Sequence, residues 1–212
     1  KLHRVTVRSM PDASIDGPAV VVISRLVITG GNHHRLHEEL TVAGGYLGDK
    51  SFRREEGVKR VEQWLEQAKP VTASDSLFDT FRVRFDRAQS AIQQSVDARS
   101  KERLKYLANT LQTRKQKELT DIGTVLGELE KTIQAELAKD QQPMQFSLFS
   151  EDERTQLKRD NAALEARLAR IPVERSQEAQ AIESRYAKLD DRTFPVAVIF
   201  IVPESAVQEG EV

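Results

Sequence analysis

Apolar side chains recur at three- and four-residue steps over most of Ser100 to Lys139, a stretch free of proline: Leu104, Leu107, Leu111, Leu119, Ile122, Leu126, Leu129, Ile133 and Leu137. So narrow a stripe is the seam of a helix pair rather than the broad face of a core helix. A partner of matching length runs from Glu151 to Leu189, carrying Leu157, Leu164, Leu168, Ile171, Ile182, Tyr186 and Leu189. Between them lies Asp140 to Ser150, where Pro143 ends the first arm and Ser150 with Glu153 opens the second as a capping box. Folded there, the hairpin pairs Leu104 with Tyr186, Ile122 with Leu168, Leu126 with Leu164 and Ile133 with Leu157. Gln112 to Glu118 is almost wholly polar and falls opposite Pro172 to Glu178, so a kink is expected at Pro172.

The flanking segments carry a different period. Residues 3 to 9 alternate, with Val5 and Val7 on one face, which predicts a strand covered on one side. Ala19 to Thr29 is a β-branched, nearly continuous apolar run and reads as a central strand. Gly30-Gly31-Asn32 supplies a hairpin turn, after which Arg35 to Val42 alternates with Leu36, Leu40 and Val42 on one face. These three make an antiparallel meander. Gly44-Gly45 and Gly48-Asp49 are expected to end the sheet before a helix over Arg54 to Ala68, striped by Val58, Val61, Trp64 and Leu65 and closed by Pro70. Thr72 with Asp75 starts the next helix, whose stripe of Leu77, Phe81, Phe85, Ala88, Ile92 and Val96 runs on into the long arm. Phe194 to Pro203 is a strand apolar on both faces, which must be buried within the sheet beside Ala19 to Thr29. A loose tail follows from Ser205.

The predicted class is therefore α+β: a small antiparallel β-sheet with a covering helix and a long antiparallel coiled-coil helical hairpin. The expected domains are residues 1–72 plus 190–204 for the sheet and 73–189 for the arm, its tip near 140–150.

Composition narrows the chemistry. The chain has 212 residues, 31% of them charged and 6% aromatic, with a formal net charge of −1. Its first residue is lysine and a strand-like run begins at once, so it reads as a fragment of a longer protein. There is no cysteine, which excludes disulfides and thiolate chemistry and makes a cytoplasmic setting the expectation. No apolar run reaches the roughly 18 to 20 residues of a membrane span. Neither a phosphate-binding Gly-x-x-x-x-Gly-Lys loop nor Gly-x-Gly-x-x-Gly nor Gly-x-Ser-x-Gly occurs. His33, His34 and His37 with Glu38 invite a metal, yet His34 and His37 would point to opposite faces of a strand, so a polar turn is the reading and no metal is assigned. The acidic pairs Glu38-Glu39 and Glu55-Glu56 and the run Glu151-Asp152-Glu153 read as surface and helix N-terminal charge. No catalytic residue is assigned.

Local charge says more. Phe81 to Lys117 holds ten basic residues against three acidic ones, whereas Glu118 to Asp140 holds six acids and two bases. Arg82, Arg84, Arg87, Arg99, Lys101, Arg103 and Lys105 are candidates for DNA phosphate contact. The alternative is a solvated coiled-coil flank. Met144, Phe146, Leu148 and Phe149 at the tip are unusually apolar for a loop, and either cap the arms or dock on a partner.

Four landmarks then carry a resemblance: Phe-Asp-Arg-Ala-Gln-Ser-Ala-Ile near residue 85, Ala-Arg-Ser-Lys-Glu-Arg-Leu-Lys-Tyr-Leu from Ala98, Gln-Phe-Ser-Leu-Phe-Ser-Glu-Asp-Glu-Arg from Gln145, and the closing Phe-Pro-Val-Ala-Val-Ile-Phe-Ile-Val-Pro. In that order, over most of residues 75 to 203, they resemble the C-terminal region of large bacterial Swi/Snf-like helicases, including those of DISARM-type anti-phage defence. The resemblance implies a non-catalytic accessory part of an ATP-dependent DNA helicase or translocase. ATP and Mg would belong to the parent's upstream lobes, with no cofactor in this segment. Those lobes, double-stranded DNA and other defence proteins are the implied partners, with no membrane. The alternative from the residues alone is a coiled-coil protein-interaction or dimerisation module with no DNA role.

Overall fold

The structure, a computed structural model, describes residues 4–49, 51–140 and 150–208. The chain divides into two compact units, one of Lys1–Thr29, Arg35–Ala108 and Leu189–Val212, the other of Gly30–His34 and Asn109–Lys188. The α+β class holds. The strands are β1 (Val5–Met10), β2 (Ala19–Thr29), β3 (Arg35–Leu47), β4 (Phe52–Arg54), β5 (Lys69–Pro70) and β6 (Asp190–Pro203); the helices are α1 (Val58–Gln67), α2 (Asp75–Asp140), α3 (Glu151–Arg185) and α4 (Glu204–Gln208).

In the first unit, one sheet has the order β4-β3-β2-β6-β1-β5. β2 pairs antiparallel with β3 and with β6, as the apolar runs require, but β1 runs parallel to β6 and is not part of a meander with β2. The physical reason is burial. Ile199, Phe200, Ile201 and Val202 alternate between the two faces and all are buried, so β6 needs a strand on each side and cover on both faces. β1, exposed at Val5 and Thr6, lies on the far side of β6 with the two-residue β5 beyond it.

Gly44 and Gly45 do not end β3, which continues to Leu47. A Cβ on Gly44 would stand 2.8 Å from the Val20 carbonyl oxygen, and one on Gly45 would strike the Arg53 carbonyl, so these glycines allow close strand approach instead of breaking the strand. The residues after them form β4, which delays α1 to Val58.

Each face of the sheet has its own helix. α1 presses Val61 and Trp64 against Ala19, Val21, Ile199 and Ile201. The first part of α2 lays Phe81, Ala88, Ile92 and Val96 against Val20, Val22, Phe200 and Val202. Phe81 stacks on Phe200 with ring centroids 5.3 Å apart. This packing explains why the compact division falls after Ala108, inside α2, and not at residue 72: the early turns of the helix are core of the sheet unit. The cap of α2 is Ser74, whose Oγ accepts the Leu77 N–H at 3.3 Å, rather than the expected Thr72. The expected loose tail is helical over α4, Glu204–Gln208, with Ala206 and Val207 packed on the sheet core.

In the second unit, Leu126, Ile133 and Ile171 form a thin core flanked by Ile122, Leu129, Leu137, Leu164 and Leu168. The capping box at Ser150 and Glu153 is present. The register differs from expectation. Glu118 accepts from Tyr186 Oη at 2.5 Å and from Arg185 at 2.9 Å, and Glu130 accepts from Arg175 at 2.9 Å. Tyr186 thus faces Glu118 and not Leu104, a slide of about four helical turns. Polar contacts that counting apolar positions ignores select this register. α3 passes through Pro172 as one helix, with Ile171 fully buried beside it. The turn before β3 belongs to this unit: Asn32 and His33 have φ near +57 and +56°, and a Cβ on Gly31 would collide with the Ser184 carbonyl oxygen of α3.

Candidate functional site: a cleft at the open edge of the sheet

β3 meets β4 only through Gly45, Tyr46 and Leu47. From Arg35 to Ala43 its side away from β2 has no strand beside it among the described residues. Gly44 shows which groups face that side, because its carbonyl accepts the Glu55 N–H at 2.9 Å beyond β3. Backbone direction alternates along a strand, so the N–H and C=O of Val42 and Leu40 point the same way.

α1 on one face and α2 on the other overhang this edge, leaving a cavity of about 530 Å³. Leu40, Val42, Val58 and Glu62 line one wall; Glu39, Arg99, Glu102, Arg103 and Tyr106 line the other, with Thr41 on the floor. Leu40 and Tyr106 are each about two-thirds exposed, large apolar surface at the mouth of a charged groove.

The charged groups are mutually ordered. Arg103 grips Glu39 with two hydrogen bonds, Nε to Oε1 at 2.5 Å and Nη2 to Oε2 at 2.9 Å, and its guanidinium lies 4.9 Å from the centre of the Tyr106 ring. The bond from Arg103 holds the Glu39 carboxyl below its ordinary value against partial burial, aided by His37 at 3.1 Å. The same bond raises Arg103. Arg99 is buried; its Nη1 donates to Glu102 at 2.6 Å and its Nη2 to the Glu56 carbonyl at 3.1 Å. Its Nε is buried with no hydrogen-bond partner among the described residues. Glu102 also accepts from Arg54 at 2.7 Å.

The seven basic candidates do not form one stripe. Arg99 and Arg103 are held by carboxylates in the cleft wall. Arg84 pairs with Asp49 at 2.5 Å and lies over the Phe81 ring. Arg82 is exposed, 4.0 Å from Asp79, beside a small apolar hollow of Val5, Phe78, Phe85, Val198 and Phe200. Arg87, Lys101 and Lys105 are exposed and, at 100° per residue, share one flank of α2. Met144, Phe146, Leu148 and Phe149 lie outside the described residues. The histidines part company: His33 sits in the left-handed turn, His34 borders a cavity of about 210 Å³ with Ser184 and Arg185, and His37 binds Glu39. No group of three or more His, Cys, Asp and Glu side chains placed to hold a metal occurs among the described residues.

Sequence reasoning missed the cleft. The alternation of β3 was visible, but its open edge depends on β4 being three residues long and on two helices converging there, neither of which is local. One signal was available in Tyr106, an aromatic residue off the stripe of Leu104, Leu107 and Leu111. Among the described residues no helix is long and apolar enough to cross a membrane. No protein-family model matches the chain, and no curated protein matches it.

Proposed function

We propose that this chain is a non-catalytic binding module, the accessory C-terminal part of an ATP-dependent Swi/Snf-like DNA helicase, and that it engages a protein partner through the cleft beside β3. The observation that carries the binding reading is the combination of exposed Leu40 and Tyr106 with fixed charges in a half-open groove, the composition of a contact surface with an aromatic anchor. The four sequence landmarks support the helicase assignment. ATP and Mg act in the parent's upstream lobes, which are the first partner to test.

The test mixes the purified chain with the protein encoded upstream in the same gene and follows association by light scattering. Leu40→Asp and Tyr106→Ala should each weaken it about tenfold or more, in keeping with loss of an anchor. Association untouched by both would remove the cleft from the proposal. An upstream sequence without ATPase motifs would remove the helicase.

A second reading, DNA contact, is favoured by the exposed flank of Arg87, Lys101 and Lys105. Fluorescence anisotropy on a DNA duplex at low salt tests it. Charge reversal at these three should abolish binding, and a single neutral substitution that removes one phosphate pairing should flatten the salt dependence by about one unit of slope.

A further inference from the structure

We infer that the cleft takes one extended polypeptide segment, which adds to the sheet as a strand along the open edge of β3 and carries alternating aliphatic and acidic side chains. This rests on the binding reading above and names its partner's chemistry. Three observations converge on it. First, the N–H and C=O groups of Leu40 and Val42 face the cleft along a stretch of β3 that has no neighbouring strand among the described residues. A bare strand edge binds another strand by main-chain hydrogen bonds, which fixes the conformation of the occupant.

Second, the two walls differ in chemistry. Leu40, Val42 and Val58 form the apolar part of the wall beside α1, which also holds Glu62, whereas the wall beside α2 holds Arg99 and Arg103 together with their carboxylate partners Glu102 and Glu39. Successive side chains of a strand point to opposite faces, so an added strand would send every other residue to each wall. Aliphatic side chains match the first. Carboxylates match the second, because Arg99 Nε is a buried cationic donor without an acceptor among the described residues, and a charge-assisted bond is the strong way to complete it.

Third, the cleft suits a single chain. Its walls are helices α1 and α2, so a second copy approaching edge to edge would bring its own pair of helices against them.

The experiment uses a fluorescein-labelled octapeptide of alternating valine and glutamate, titrated into the 212-residue chain and read by anisotropy, with amide hydrogen exchange on the same samples. Saturable binding with a Kd below about 1 mM is expected, together with slowed exchange at Leu40 and Val42. Three controls should each lower affinity at least about tenfold. One is the same peptide N-methylated at alternate residues, which removes main-chain donors. Another replaces glutamate by lysine. The last is Leu40→Pro in the protein; it deletes an N–H that points away from β2, so the β2–β3 ladder and the melting temperature should be kept.

Absence of saturable binding overturns the proposal, as does equal affinity for the N-methylated peptide or for Leu40→Pro. Equal affinity for the lysine peptide overturns the acidic assignment. If the peptide fails while Leu40→Asp still weakens association with the upstream protein, strand addition is wrong and the cleft reading stands.

Discussion

The two compact units of this chain are stabilised in different ways. In the sheet unit, apolar side chains are buried on two faces: Val20, Val21, Leu26 and Ile201 have no exposed surface, and two separate clusters sandwich the strands. The helical unit has a thin row around Leu126, Ile133 and Ile171, with Leu111 and Ile182 also buried, and adds polar contacts through Glu118, Glu130 and Lys115 with Glu183. Apolar burial stabilises in proportion to area, whereas exposed ion pairs contribute about 0 to 1 kcal/mol each and fade with salt. Per residue, the helical unit should be the weaker and the more salt-sensitive.

Truncation tests that ranking most severely. Phe81→Ala removes a ring stacked on Phe200, which Phe85 meets edge-on, and should cost about 3 to 5 kcal/mol. Ile171→Ala removes a fully buried side chain from a core of few members and should cost about 2 to 4 kcal/mol. Hydrogen exchange separates the outcomes. Phe81→Ala should raise exchange throughout β2 and β6, while Ile171→Ala should raise it in α3 and leave the central strands protected. If Ile171→Ala exposes β2 equally, the two units unfold as one and the comparison fails.

What could be read from sequence follows the same line. The strand at Ala19 to Thr29 and the closing strand were legible because their composition is β-branched and their centres, Val20 to Val22 and Ile199 to Val202, are buried, so local pattern and tertiary demand agree there; Phe194 and Val196, expected to be buried, stand about half exposed. The class and the helical hairpin followed from period alone. The hairpin register did not, because Leu residues at regular spacing fit several alignments, and Glu118 with Tyr186 and Arg185 decides among them. Gly44 and Gly45 misled for a related reason: the freedom of glycine signals a turn or a close approach, and only the neighbouring strand tells which. The cleft was illegible since its three sides come from β3, α1 and α2, far apart in sequence. Arg82, Arg84, Arg99 and Arg103 lie beside carboxylates, which a count of charges along one helix does not register.

A smaller effect is expected at Tyr186, the polar latch of the helical unit. Burial and the Glu118 carboxylate together push its phenol up to about 12. A raised folded value means the ionised form is disfavoured by folding; the stabilisation is complete below pH 10 and is lost as pH rises through 12. Burial also raises Tyr46, so ultraviolet titration should show delayed ionisation, and Tyr186→Phe should remove the step near pH 12. The substitution should cost about 1 to 2 kcal/mol at neutral pH, and the deficit should shrink between pH 10 and 12. A late step that survives in Tyr186→Phe would place the perturbed phenol elsewhere.

The smallest expected effect lies in the sheet unit, where polar contacts are an addition to a core that does not depend on them. Glu39 and Arg103 form a bidentate pair at a partly exposed cleft wall, so Glu39→Gln should cost only about 0.5 to 1 kcal/mol. The sign of its pH dependence is opposite to that of Tyr186. The folded Glu39 value lies below its ordinary 4.5, so the contribution is present above that value and is lost as pH falls through the lower folded one. Chemical denaturation of Glu39→Gln beside the unmodified chain should show a gap that closes as pH falls below that ordinary value. A Glu39→Gln gap larger than that of Ile171→Ala would mean that the sheet unit also leans on its surface charges, and the distinction between a buried core and a polar seam would lose its basis.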